Sequence, residues 1–153
     1  EDTDEMVEAA RKISAISENF VIKIPCIPAG IAAAKRLEAE GIRTNVTLVF
    51  SAAQAILPAK NGSLFVSPFI GWKEANGEDC KKYIQDIVDI YNEIASYKLI
   101  FTKLDETSSY GNLLNIKLYA DADLSYVTNG QNVPDDIEVF DTQKIVKQLL
   151  GGR

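Results

Sequence analysis

Apolar residues recur at helical spacing through Met6, Val7, Ala10, Ile13 and Ile16, which predicts a first helix over residues 3–18. Asp2 and Glu5 have the spacing of a capping box in front of it. The apolar run at residues 20–25 predicts a strand, and Pro28 and Gly41 bracket a helix over 28–40. A second strand is expected over 43–49. Ser51 suits the N-cap of a short helix to about residue 60, with Gly62 as its stop and Pro58 expected to shorten or kink its last turn. A strand over 64–67 is followed by a loop through Gly71, Asn76 and Gly77. The next helix, about 78–95, places Tyr83, Ile87, Ile90, Tyr91 and Ile94 on one face, which reads as core-facing. The pattern ends with a strand at 98–102, a helix at 108–120, a strand at 124–128, an Asn129-Gly130 turn and a helix at 141–150.

Short apolar strands alternating with helices predict an α/β fold. The expectation is a single domain over residues 1–153, built on a five-stranded, mostly parallel sheet with flanking helices. Two arrangements fit: a flavodoxin- or Rossmann-like three-layer order, or a half-barrel-like order with all helices on one face. The second leaves a sheet face bare, and a homodimer is one way to cover it.

Composition narrows the function classes. Apolar residues make up 46% of the 153 residues and charged residues 25%, as in a soluble globular protein. A net charge of −6 without a basic stripe argues against a nucleic-acid partner. No apolar run is long enough to span a bilayer and no targeting signal is visible, so no membrane partner and a cytoplasmic location are expected. Cys26 and Cys80 lack metal-ligand spacing and read as reduced thiols. Histidine is absent, which removes the commonest general base and metal ligand. Neither metal nor cofactor is expected. The Asn45-Val46-Thr47 and Asn61-Gly62-Ser63 triplets read as chance glycosylation matches, and Asp135, Asp136 and Glu138 as a turn or solvated acidic face.

Lys23 is the sharpest chemical signal. Strand alternation puts it with Val21 on one face, opposite Phe20, Ile22 and Ile24. A lysine in an apolar strand loses solvation, which lowers its pKa and frees an amine to attack a ketone. The bland alternative is a lysine reaching solvent at the strand end or pairing with a carboxylate. The segments Phe-Val-Ile-Lys-Ile-Pro, Gly-Ile-Arg-Thr-Asn-Val-Thr-Leu-Val-Phe-Ser and Val-Ser-Pro-Phe-Ile-Gly-Trp over residues 20–72 resemble the middle of a transaldolase or fructose-6-phosphate aldolase barrel. The resemblance over residues 1–95 implies that Lys23 is the Schiff-base lysine, with Asn45, Thr47 and Ser67 as polar active-site companions. The family usually carries an arginine after Ser-Pro-Phe-x-Gly to hold the substrate phosphate; this chain has Trp72, followed by Lys73.

Thr102-Lys103-Leu104-Asp105 follows a strand, and Val-Thr-Asn-Gly-Gln-Asn-Val-Pro-Asp-Asp-Ile closes the next. Residues 96–150 resemble the C-terminal part of a signal-recognition-particle-type GTPase, closest to its flagellar member. That resemblance implies guanine contacts by Thr102, Lys103, Asp105, Gly130 and Gln131, although no phosphate-binding G-x-x-x-x-G-K-[ST] loop is present. The plain alternative is that Lys103, Asp105 and Glu106 end a strand and cap a helix.

Two resemblances with a seam near residues 91–98 predict an engineered chimeric scaffold with no dedicated activity. The alternatives are residual Schiff-base aldolase chemistry through Lys23, or a weak guanine-nucleotide-binding module.

Overall fold

The computed structural model describes residues 2–106 and 111–149. The chain divides into two compact units, Glu1–Ala95 and Ser96–Arg153.

In the first unit, α1 (Thr3–Ser14) begins at a complete capping box: Glu5 N–H donates to Asp2 Oδ1 at 2.9 Å, and the Glu5 side chain returns to the Asp2 backbone. It stops four residues short of the expected end, and Ile16 is left exposed. Strand β1 (Ile22–Pro25) leads into α2 (Pro28–Ala39), which opens on Pro28. Gly30 lets α2 close onto the strand, since a Cβ there would lie 2.1 Å from the Pro25 carbonyl oxygen. Strand β2 (Thr44–Val49) and α3 (Ala52–Asn61) follow. Ser51 caps α3, and Gly62 ends it at φ 80°.

Pro58 does not break α3. It is buried inside the helix, which runs on to Asn61. A proline there removes the N–H that would have reached the Gln54 carbonyl. The Cys26 thiol approaches that same carbonyl at 3.7 Å.

Strand β3 (Phe65–Pro68) is followed by α4 (Ile70–Ala75), a short helix where a loop was expected, and by α5 (Cys80–Ile94), capped by Asp79. The sheet order is β1-β2-β3, parallel throughout, with Lys23 opposite Asn45 and Asn45 opposite Phe65. Ile22, Ile24 and Val46 point into a core shared with Val7, Ala33, Ala34, Leu37 and Ala55. Glu38 ties the start of two strands to α2. Its Oε1 accepts from Thr44 N–H at 2.7 Å, Thr44 Oγ1 at 2.6 Å and Leu64 N–H at 3.3 Å.

The second unit holds β4 (Lys98–Phe101), a 3-10 turn (Leu104–Glu106), α6 (Gly111–Tyr119), β5 (Asp123–Thr128), β6 (Ile137–Val139) and α7 (Thr142–Leu149). β4 and β5 are parallel, and β6 returns antiparallel to β5. Leu104, Leu113 and Val127 form its core with Phe101 and Phe140.

The α/β class, the parallel pairing and the flanking helices are present. The five-stranded sheet is not: among the described residues, six strands form two three-stranded sheets. Two local causes are visible. β6 is only three residues long and too short to announce itself by alternation, and β4 pairs with β5 rather than with β3. No described helix is long and apolar enough to cross a membrane.

Candidate functional site

Side chains in register across a parallel sheet share a face, and alternate residues along a strand return to it. Lys23, Asn45 and Phe65 are in register, as are Pro25 and Thr47; Ser67 lies two residues beyond Phe65. The sheet therefore brings all four transaldolase-like positions, Lys23, Asn45, Thr47 and Ser67, to one face. That face is opposite the one packed on α2 and α3.

The four environments differ. Ser67 Oγ donates to Asn45 Oδ1 at 2.8 Å, which fixes the amide and turns its N–H2 group elsewhere. Thr47 is 6% exposed, and its hydroxyl has no hydrogen-bond partner among the described residues. Lys23 is exposed, so the apolar enclosure expected around it is not supplied by this unit. It makes no ion pair with any described residue, unlike Lys12, Lys73, Lys82, Lys103 and Lys144.

The carboxyl end of β2 is irregular. The pairing with β3 shifts between Val46 and Val49, and Leu48 takes φ 60°, a conformation uncommon for a branched side chain. The bulge is pinned from two sides, because the Val49 carbonyl accepts both Phe69 N–H at 3.0 Å and Tyr83 O–H at 2.6 Å. Burial pushes the Tyr83 hydroxyl up to about 12. Tyr91, from the same helix, donates to the Ala55 carbonyl at 3.1 Å, and burial raises its pKa as well. Beyond the strand ends, Phe50 packs edge-to-face on Phe69 and on Trp72. Lys73 is committed to Glu78 and lies 4.9 Å above the Tyr83 ring.

Sequence periodicity placed Tyr83 in the core but missed the bulge it holds, because the hydroxyl reaches a carbonyl 34 residues away. Phe50 and Phe69 were also missed. Their only sequence signal is an aromatic directly after each of two strands.

In the second unit, the loops after β4 and β5 do adjoin, since Lys103 N–H donates to Thr128 Oγ1 at 3.0 Å. Their side chains serve the loops themselves. Lys103 Nζ is paired with Glu106 at 2.7 Å, Asp105 is exposed in the 3-10 turn, and Thr102 and Gln131 are exposed. Gly130 packs against Asp136, whose carboxylate accepts from Asn132 N–H at 2.7 Å. This turn-forming use of Asp136 is the one the acidic cluster suggested. No group of three or more acidic or cysteine ligands that could hold a metal occurs among the described residues.

Comparison with known proteins bears on the whole chain. The sequence model of the transaldolase/fructose-6-phosphate aldolase family matches residues 1–146. A 6-deoxy-6-sulfo-D-fructose transaldolase of Priestia aryabhattai is 61% identical over 87 residues, covering 57% of this chain and 38% of that protein. The enzyme of the same name from Priestia megaterium matches equally. A probable transaldolase of Kosmotoga olearia is 50% identical over 91 residues, or 60% of this chain and 42% of the relative. The chain thus spans about two fifths of the length of the curated relatives it matches.

These findings overturn two expectations. The family match runs past residues 91–98 to residue 146, so it takes in the segment expected to derive from a GTPase, and neither comparison supports a GTPase part or a guanine-binding module. The engineered scaffold without activity falls with it. The GTPase resemblance rested on the Thr102–Asp105 motif and on the residues around it over 98–139; in the structure Asp105 lies in the 3-10 turn and Lys103 pairs with Glu106. On the extent of the family match, the chain belongs to the transaldolase/fructose-6-phosphate aldolase family.

Proposed function

We propose that the face carrying Lys23 is the Schiff-base part of a transaldolase-type active site, acting on a ketose that ends in a sulfonate. The observation that carries the reading is the register of Lys23 with Asn45, itself held by Ser67 at 2.8 Å. The sulfonated substrate class rests on the printed activity of the Priestia relatives, which are 61% identical to this chain over the matched residues.

The chemistry follows from a free amine. Unprotonated Lys23 Nζ adds to the ketone carbon, and loss of water gives an iminium ion. The electron pair of the bond between the third and fourth carbons then flows toward the iminium nitrogen. The hydroxyl on the fourth carbon gives up its proton to a base, its oxygen forms a carbonyl with that carbon, and the fragment beginning at the fourth carbon departs as an aldehyde. The remaining enamine attacks an acceptor aldehyde, and water releases the new ketose. Asn45 offers its amide N–H2 group to a substrate hydroxyl, whereas the Thr47 hydroxyl is buried and lines the site only from behind. Proton transfer typically contributes about a hundredfold to ten-thousandfold in rate. The described residues place no carboxylate in register with Lys23, so that contribution comes from groups that cover the exposed face. Further βα units of the family barrel would cover it, and a second copy of the chain is the alternative; sedimentation separates them, since a monodisperse monomer removes the second copy.

The reading is tested by comparing the chain with its Lys23→Ala variant for retro-aldol cleavage of 6-deoxy-6-sulfo-D-fructose. Loss of cleavage in the variant supports it; equal cleavage by both eliminates it.

A further inference from the structure

Tyr83 is buried and unused by the Schiff-base chemistry, yet its hydroxyl acts on the strand that carries Asn45 and Thr47. It stands in the first turn of α5, whose start is fixed by Asp79: Lys82 N–H donates to Asp79 Oδ1 at 3.0 Å. Its ring faces the Lys73 ammonium at 4.9 Å, and its hydroxyl donates to the Val49 carbonyl at 2.6 Å, 34 residues back along the chain. Ring and hydroxyl are both fixed.

The place it reaches is the bulge at the carboxyl end of β2. Val46 pairs with Val66 and Val49 with Pro68, so Thr47 and Leu48 together oppose Ser67. The extra residue changes which side chains face Lys23. In a regular strand, residues 45, 47 and 49 would share one face. Here Asn45 and Thr47 keep the Lys23 face, while Val49 crosses into the core with Val46, Ile22 and Ile24. The Val49 side chain is thereby withdrawn from the Lys23 face. The residue of β3 opposite the bulge is Ser67, whose hydroxyl holds Asn45.

The bulge carries strain. Leu48 takes φ 60°, the left-handed region that a branched side chain rarely adopts. Three hydrogen bonds hold it there. Cys26 N–H donates to the Thr47 carbonyl at 2.8 Å, tying the residue before the crossing to the end of the Lys23 strand. The Val49 carbonyl, on the other side, accepts from Phe69 N–H at 3.0 Å and from the Tyr83 hydroxyl. Of the three, only the Tyr83 bond comes from a side chain.

We propose that Tyr83 is a positioning residue of this site. By holding the Val49 carbonyl it keeps the β2 bulge closed, and through the bulge it keeps Asn45 level with Lys23 and within reach of Ser67. It touches no reacting atom. The inference rests on the Lys23 reading and deepens it by tracing the order of that face to a residue of α5.

The test follows cyanoborohydride trapping of dihydroxyacetone on Lys23 in the full chain, over a range of ketone concentrations. Tyr83→Phe keeps the ring and its contact with Lys73 and removes only the hydroxyl. Urea midpoints fix conditions in which both chains are fully folded. There the maximal labelling rate of Tyr83→Phe is expected to fall about three- to tenfold, the range of one neutral hydrogen bond, with the half-saturating ketone concentration moved less. A purely structural role shifts the urea midpoint and leaves labelling of the folded chain unchanged. Leu48→Gly supplies the second arm, because glycine takes φ 60° without strain. In that background the bulge no longer needs the hydroxyl, and Tyr83→Phe is expected to slow labelling by less than about twofold. Equal labelling of the unsubstituted and Tyr83→Phe chains overturns the inference and leaves the Lys23 reading standing. A loss just as large in the Leu48→Gly background also overturns it, because the hydroxyl then acts other than through the bulge. If the unsubstituted chain is not labelled on Lys23, both readings fail.

Discussion

Ser67 Oγ donates to Asn45 Oδ1 at 2.8 Å, and Asn45 is the residue opposite Lys23 on the neighbouring strand. One hydrogen bond thus spans β2 and β3 and sets the rotamer of the amide beside the amine. Ser67→Ala leaves Asn45 free to turn. The expected outcome is a several-fold slower trapping of ketones on Lys23 with little loss of stability, because a neutral hydrogen bond contributes about 1 kcal/mol net. A stability loss that fully accounts for the slower trapping would show that Ser67 acts on the fold alone.

Glu38 has the opposite profile. Its side chain is 9% exposed, and it gathers Thr44 N–H, Thr44 Oγ1 and Leu64 N–H, with Arg43 at 3.3 Å. Glu38→Ala strands those donors at the start of β2 and β3 and is expected to cost about 2 kcal/mol, with Glu38→Gln costing less because an acceptor oxygen remains. Urea midpoints for the two variants check the order.

The tyrosines of α5 give a pH dependence. Burial raises the Tyr83 hydroxyl to about 12 from its ordinary value near 10, and raises Tyr91 in the same direction. The folded state thus favours the neutral phenol more than the unfolded state does. That stability is fully present below pH ~10 and is lost as pH climbs from ~10 towards ~12. Absorbance titration near 295 nm is expected to show two phenols that resist ionisation until the chain unfolds. In Tyr83→Phe the alkaline loss of stability is smaller. An unchanged profile in that variant would assign the effect elsewhere.

Both thiols are expected to be slow nucleophiles. Burial raises the pKa of Cys26, and burial together with the nearby Glu74 and Glu78 carboxylates raises that of Cys80. Less thiolate at a given pH means slower alkylation. At pH 8 the native chain is expected to react with iodoacetamide more slowly than the same chain in denaturant. Cys26 has a second duty, standing at 3.7 Å from the carbonyl that Pro58 leaves without its helical donor. Pro58→Ala restores that donor, so Cys26→Ala is expected to cost less stability in the Pro58→Ala background than alone.

What could be read from the sequence was what is written locally. Asp2, Ser51, Gly62 and Pro28 act within a few residues of themselves, and the helix ends they mark are where they were expected. Strand alternation likewise put Lys23 on the face opposite Ile22 and Ile24, the face to which the strand register brings Asn45. Pairing was not legible. Nothing in residues 64–67 or 98–102 states that β3 and β4 belong to different sheets, and nothing near Leu48 announces the bulge that Tyr83 and Phe69 hold. α4 was missed because Gly71, Asn76 and Gly77 read as loop, although only Gly77 takes a positive φ, of 72°, and it lies beyond the helix. The exposure of Lys23 also depends on what lies over the sheet, which the residues of β1 do not encode.

An imine-forming Lys23 would be marked covalently once its imine is reduced. The direct measurement is incubation of the chain with dihydroxyacetone and cyanoborohydride, followed by intact mass and peptide mapping. One adduct is expected, on the peptide containing Lys23, and none in Lys23→Ala. Slow labelling spread over the surface lysines, equal in the two proteins, would contradict it.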